Sequence, residues 1–162
     1  MHSIKLVSEE LTPSKVVCVG RNYTAHIAEL NNETPDQMVL FNKRTAQSKL
    51  KNKGLPWERA KAFDGSVILT DFVALTDAMK HFTFELKINN EVIQRGDTHF
   101  MLHNPDSILQ EISEFMSLED GDVIMTGTPS GVGEVTAKSI FAVALYANDQ
   151  CLLEHQWQVS KN

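Results

Sequence analysis

Little in this sequence points outward. Two cysteines, Cys18 and Cys151, stand far apart among 162 residues, in no spacing that suits a metal or a redox pair. Both fall in apolar, strand-like runs, so buried, reduced thiols are expected. The formal net charge is −6 and there is no long basic run. That argues against nucleic acid or an anionic membrane surface as a main partner. No apolar stretch approaches the length of a membrane span. The opening residues Met1-His2-Ser3-Ile4-Lys5 lack the apolar core of a signal peptide, and the cytoplasm is the expected compartment. No repeat, low-complexity tract or linker breaks the chain, and no close group of carboxylates sits within one strand. What remains, 42% hydrophobic and 22% charged, suits a single domain over residues 1–162 with a real core.

Periodicity gives a coarse order of elements. Lys15–Gly20 reads as a buried strand, and Asn22 as the cap of a short helix running to Leu30. Gln37–Asn42 is a short apolar strand, and Arg44–Lys53 reads as a helix stopped by Gly54. Phe82, Phe84, Leu86 and Ile88 alternate with polar residues, predicting a strand with one buried face. Asn89-Asn90 then turns the chain into Glu91–Arg95, closing a hairpin. Asn104-Pro105-Asp106 is a strong helix start, and Ile108, Leu109, Ile112, Phe115 and Met116 form an apolar stripe behind it. A second hairpin joins Ile140–Ala147 to Cys151–Trp157 through Asn148-Asp149. Strands outnumber helices and do not alternate with them, so the expected class is α+β, not a βαβ wind.

Residues 117–134 hold four glycines and a proline around the strand Val123–Met125, with Thr126, Thr128 and Ser130 supplying hydroxyls. So dense a run is a shaped loop. It is no phosphate loop, because no Gly-Lys-Ser/Thr follows it. His26 and Glu29 lie three apart on one helical face, close enough to interact. A carboxylate beside an imidazole orients the ring and raises its basicity. By spacing alone an incidental pair is the simpler reading, and so is a snorkelling side chain for Lys61. His99 and His103 have a spacing that binds metal on a helix, but they precede the Asn104 cap, with no third ligand in view. His2, His81 and His155 read as incidental.

Taken together, several stretches resemble the fumarylacetoacetate hydrolase (FAH) family. They are Val17–Glu29, the Phe-x-Lys strand within Met38–Lys43, the Arg-x-x-Gln helix from Arg44 to Gln47, Gly54–Asp64 with Trp57 and Lys61, the hairpin Leu86–Gln94 with Asn90 in place of a glycine, and Gly121–Gly133. The last is the most specific, and the match runs nearly the whole chain in order. The resemblance implies an FAH-type fold, a mixed, β-rich roll or sandwich of several sheets with a few short helices. It implies that His26 and Glu29 activate water from a lid helix, that Lys61 stabilises an enolate, and that Arg21, Arg44, Gln47 and Thr128 lie at the substrate. It further implies a homodimer dependent on Mg²⁺, with Mn²⁺ or Ca²⁺ as substitutes. The small-molecule substrate is a 2-oxo or β-diketo acid. The expected reaction is C–C bond hydrolysis of an acylpyruvate through a metal-chelated enolate. Alternatives are an oxaloacetate-type decarboxylase or isomerase, and a non-catalytic relative that has lost its metal.

One departure is large. The family's metal ligands are three acids, carried between its Phe-x-Lys strand and its Arg-x-x-Gln helix. Here Lys43 runs straight into Arg44, so this sequence supplies none of the three. Intact motifs on both sides favour a seam over residues that the protein itself contains. A Cα separation of about 3.8 Å between Lys43 and Arg44 would instead mark a genuine deletion.

Overall fold

The computed structural model describes residues 4–5, 10–11, 13–31, 33–35, 39–40, 67–76, 79, 81–133 and 135–159. The expected helix Arg44–Lys53, the Lys43–Arg44 junction, and the side chains of Arg44, Gln47 and Lys61 lie outside them.

Among the described residues, nine strands form three sheets. Strands β1 (Ile4–Lys5) and β2 (Glu10–Leu11) pair with each other. Strands β3 (Val16–Gly20), β4 (Val39–Leu40) and β7 (Val123–Met125) form a sheet of order β4-β3-β7. Strands β5 (Phe82–Ile88), β6 (Glu91–Asp97), β8 (Ile140–Ala147) and β9 (Gln150–Gln158) form a four-stranded sheet of order β6-β5-β8-β9. Both predicted hairpins are present. Their turns place Asn89, Asn90, Asn148 and Asp149 at positive φ, which Asn and Asp tolerate better than other residues with a side chain. Helix α1 covers Thr24–Glu29, a 3₁₀ turn covers Thr98–Phe100, and helix α2 covers Pro105–Ser113. Few and short helices among many strands make this an α+β, β-rich fold.

The core beneath the site is built by α2. Asn104 caps it as expected, its Oδ1 accepting the Ser107 N–H at 2.8 Å, with Pro105 in the first turn. Ile108 and Ile112, four apart, are fully buried and cluster with Val19; Val17 on β3 and Ile124 on β7 pack against that cluster. Each such isoleucine is worth about 1.5–3 kcal/mol of burial. The stripe is narrower than the sequence suggested. Leu109 is 48% exposed and Phe115 62% exposed, because Leu109 faces away from β3 and Phe115 falls beyond the last helical turn.

Strands β3 and β7 pair in parallel, Val17 opposite Ile124, so their C-terminal ends leave the sheet side by side. One end feeds α1 and the other feeds the glycine-rich loop. Asp122 fixes the opposite end of the pair. Its Oδ1 accepts from Ser14 N and Lys15 N, and its Oδ2 from the Lys15 ammonium at 2.6 Å and Glu119 N at 2.8 Å. The hydrogen bond from the Lys15 ammonium, then those from the Glu119 amide and the Ser14 hydroxyl, hold this carboxyl far below the usual range.

Two other expectations need correction. Strand β5 has no single buried face, since Phe82 through Ile88 are all half-buried. Its polar side is occupied, because Glu85 pairs with its cross-strand partner Arg95 and with Lys87. The cysteines are reduced, as expected, but not buried: Cys18 is half-buried with its sulfur 3.7 Å from Met125 Sδ, and Cys151 is exposed beside the β8–β9 turn.

Candidate functional site

The site grows from the two parallel strand ends. At the end of β3, Arg21 adopts φ 54, a left-handed turn that swings the chain into α1. Its Nη1 donates to the Glu33 carbonyl at 3.4 Å. Asn22 does not cap the helix, as its place in the sequence suggested. Tyr23 is the N-cap and makes no side-chain cap bond. The Asn22 side chain, 1% exposed, turns inward instead. Its Nδ2 donates to the carbonyls of His103 (2.9 Å) and Thr126 (2.8 Å), and its Oδ1 accepts the His103 N–H at 2.7 Å. A buried amide needs all its partners, and these three bonds outweigh a single exposed cap. Asn22 thereby joins the start of α1, the 102–103 turn and the loop after β7.

On α1 the i,i+3 spacing does bring His26 and Glu29 together, His26 Nδ1 lying 3.1 Å from Glu29 Oε2. The imidazole is buried, whereas Glu29 keeps about a third of its side chain in solvent. Glu29 Oε1 accepts the Gly131 N–H at 2.9 Å, so the carboxylate ties the helix to the loop. The Gly131 amide is the largest influence on Glu29. With the His26 contact it overcomes partial desolvation and holds the carboxyl below its usual value. An ionised carboxylate only accepts, so the neutral ring carries its hydrogen on Nδ1, and Nε2 is the basic nitrogen.

The loop itself is braced from the hairpin. Gly131 has φ 96, and a Cβ there would collide with the Ile93 carbonyl, so only glycine fits. Gln94 Nε2 on β6 reaches Thr128 Oγ1 (3.0 Å), the Pro129 carbonyl (3.2 Å) and the Ser130 carbonyl (3.3 Å). Thr128, singled out from the sequence, is half-buried and held by this contact. In the sequence Gln94 stands out only as part of a hairpin motif. Its distance from Thr128 along the chain hid the link, although a polar residue on a strand facing a hydroxyl-rich loop is the signal for it.

The histidine expectations are rearranged. His103 contributes its backbone to Asn22, and His99 gathers instead with His81 and Asp97. His81 Nε2 is 2.9 Å from Asp97 Oδ1, and His99 Nδ1 is 3.3 Å from the same oxygen. His81 is therefore not incidental. The hairpin register sets Thr83 opposite Asp97, and carrying it two residues further brings His81 to His99. The Asn89-Asn90 turn alone does not give that pairing, because a register shift between Leu86 and Lys87 moves it by one residue.

The ends of β3 and β7 thus bring a buried imidazole, its carboxylate and a glycine-rich loop together, an arrangement chemically able to accept and return a proton. The model for the C-terminal region of fumarylacetoacetate (FAA) hydrolase matches residues 39–158, and the chain belongs to the FAH family. Oxaloacetate tautomerase YcgM of Escherichia coli is 31% identical over 181 residues, covering 74% of this chain and 83% of its own. Among solved structures, a candidate fumarylacetoacetate isomerase/hydrolase from Oleispira antarctica superposes with a TM-score of 0.89 at 29% identity, over 98% of this chain and 100% of its own. Fumarylpyruvate hydrolase from Pseudomonas aeruginosa, in complex with Mn²⁺ and pyruvate, has a TM-score of 0.87 at 20% identity, over 99% of this chain and 96% of its own. The fold is thus the FAH-type fold.

The described residues do not gather the oxygen ligands that a hard metal needs. A matched stretch of 181 residues draws on only 74% of this chain's 162, about 120, which leaves about 60 positions of the tautomerase without a counterpart. Among the described residues, no group of three acids gathers beside His26 and Glu29; the single cluster of metal-ligating atoms is His81, Asp97 and His99. Mg²⁺ prefers all-oxygen ligands, and this set offers two imidazoles.

Proposed function

We propose that this protein transfers a proton on a small 2-oxo acid of the oxaloacetate type, interconverting its keto and enol forms. The observation that carries this reading is the 31% identity to an oxaloacetate tautomerase. The His26–Glu29 contact at 3.1 Å supports it. A C3 hydrogen leaves as a proton, its bonding pair forms the C2=C3 double bond, and the carbonyl oxygen gains a proton. No atom is lost. His26 Nε2 is the proposed base, Glu29 holds the ring in the required tautomer, and the imidazolium returns the proton. Arg21 and Thr128, with Arg44 and Gln47, are proposed to hold the acid, and Lys61 to stabilise the enolate. No step is routed through a metal. A homodimer is part of the proposal. Acylpyruvate hydrolysis has less support, since the likeness to fumarylpyruvate hydrolase at 20% identity speaks to fold alone.

The missing acids favour a second reading, a non-catalytic FAH-like protein. One assay separates the two. Loss of enol absorbance and release of pyruvate are followed on oxaloacetate, with and without Mg²⁺, against a protein-free blank. Enol loss without pyruvate is expected, reduced about 10²–10⁴-fold in His26→Ala. Unchanged turnover in His26→Ala removes that residue from the reaction. No turnover of oxaloacetate or of an acylpyruvate panel leaves the non-catalytic reading standing.

A further inference from the structure

We infer that His81, Asp97 and His99 form a binding site for a divalent transition metal of the Zn²⁺ or Co²⁺ kind, separate from the His26–Glu29 site. The three donor atoms come from the residue just before β5, the last residue of β6 and the 3₁₀ turn, and all lie within 4.8 Å of one another. In a tetrahedral site with Zn–N of about 2.0–2.1 Å, ligand atoms stand roughly 3.3 Å apart. His99 Nδ1 and Asp97 Oδ1 are already 3.3 Å apart. His81 Nε2 and Asp97 Oδ1, at 2.9 Å, share a hydrogen that the cation would replace, and the pair need open only slightly. The two rings lie with centroids 4.2 Å apart and tilted by 43°, so both reach the same carboxylate from one side.

The backbone behind the ligands is fixed before any metal arrives. Thr98 Oγ1 accepts the Phe82 N–H at 3.1 Å and donates to the Phe82 carbonyl at 3.3 Å. This clasp locks the residue after His81 to the residue between Asp97 and His99. Asp97 Oδ1 also accepts the His99 N–H at 2.8 Å, which orients the carboxylate. A supported carboxylate with two imidazoles is a borderline-soft donor set, which suits Zn²⁺, Co²⁺ or Ni²⁺ over Mg²⁺. The His99 side chain is 72% exposed, so ions enter freely and a fourth position stays open to water.

Calorimetric titration of the full chain with Zn²⁺ at neutral pH, with visible absorption of the Co²⁺ form as second readout, tests the site. One ion per chain is expected, with a tetrahedral Co²⁺ spectrum undiminished by excess Mg²⁺. His99→Ala, which removes an exposed side chain and spares the fold, should weaken binding at least tenfold, as should His81→Ala. His155→Ala, an exposed histidine elsewhere on β9, should bind as the unaltered protein does. Absence of binding, or equal binding by His99→Ala with retained folding, overturns the proposal. Equal weakening by His155→Ala also overturns it, because that result marks adventitious surface binding. Enol turnover should be the same in His99→Ala and the unaltered protein, so this site and the proposed reaction fail independently.

Discussion

The two histidine–carboxylate groups use the same chemistry in opposite ways. Glu29 divides its oxygens, Oε2 to a buried imidazole one helical turn away and Oε1 to the Gly131 amide more than 100 residues on. Asp97 gathers three contacts on one oxygen: hydrogen bonds with the His81 imidazole and the His99 amide, and the His99 imidazole 3.3 Å away. The first arrangement orients one ring and couples a helix to a loop, as proton transfer requires. The second concentrates negative charge before two rings, as a cation requires. The backbones beside the two groups meet, since Tyr23 at the base of α1 is bridged to Met101, the residue after the 3₁₀ turn. Asn22 joins the same two regions through the 102–103 turn.

That junction predicts the largest effect. Asn22→Ala strands the His103 N–H and two carbonyls in a buried setting and should cost about 3 kcal/mol. Thermal unfolding should show a lowered midpoint, and both enol turnover and Zn²⁺ affinity should fall. A variant that keeps its midpoint and loses only one activity would break the claim that the regions share a support. Gly131→Ala acts on one side only. A left-handed φ costs a side chain about 1–2 kcal/mol, before the collision with Ile93 is relieved. The loop must shift away from Glu29, so turnover should drop about tenfold or more while Zn²⁺ binding is untouched.

Much of this contrast was legible in the sequence, for identifiable reasons. Period-2 alternation and Asn-rich turns found both hairpins, and Asn104-Pro105-Asp106 found α2, because those signals are local. The i,i+3 pair His26–Glu29 was equally local. What escaped depends on the third dimension. Asn22 looks like a helix cap until the His103 and Thr126 backbones close around it, and nothing in residues 20–24 announces those partners. The meeting of His81 and His99 requires both a register shift between Leu86 and Lys87 and the pairing carried beyond the strands, and no local signal marks the shift. Leu109 fits the helical stripe yet stays exposed, because β3 and β7 cover only the Ile108–Ile112 line.

A smaller effect isolates the brace on the loop. Gln94→Ala removes the contacts with Thr128, Pro129 and Ser130 and should cost about 1 kcal/mol. If Thr128 holds the acid, KM should rise severalfold with kcat little changed; an unchanged KM separates Thr128 from binding.

The smallest effect concerns acid. The Gly131 amide, with His26, holds the Glu29 carboxyl below its usual value. At Asp97, desolvation is the largest influence and pushes the carboxyl up, but the His99 amide and the two imidazoles together outweigh it and leave a net lowering. Each folded carboxyl therefore binds protons less readily than in the unfolded chain. Its contribution to stability is present above the unfolded value and is lost as pH falls through the folded one. Glu29→Gln and Asp97→Asn should each lower stability at neutral pH by under about 1 kcal/mol, given their partial exposure. The gap to the unaltered protein should close on acidification through the carboxylate range, starting at higher pH for Glu29 because glutamate ordinarily titrates above aspartate. Saturating Zn²⁺ should widen the neutral-pH gap for Asp97→Asn alone, since only the cluster at Asp97 gains a ligand that binds the folded state. Denaturant unfolding across that pH range, with and without Zn²⁺, measures all of this. A gap that stays constant with pH would mean that neither carboxylate is held as its neighbours suggest, and equal widening for both variants would erase the distinction between the two groups.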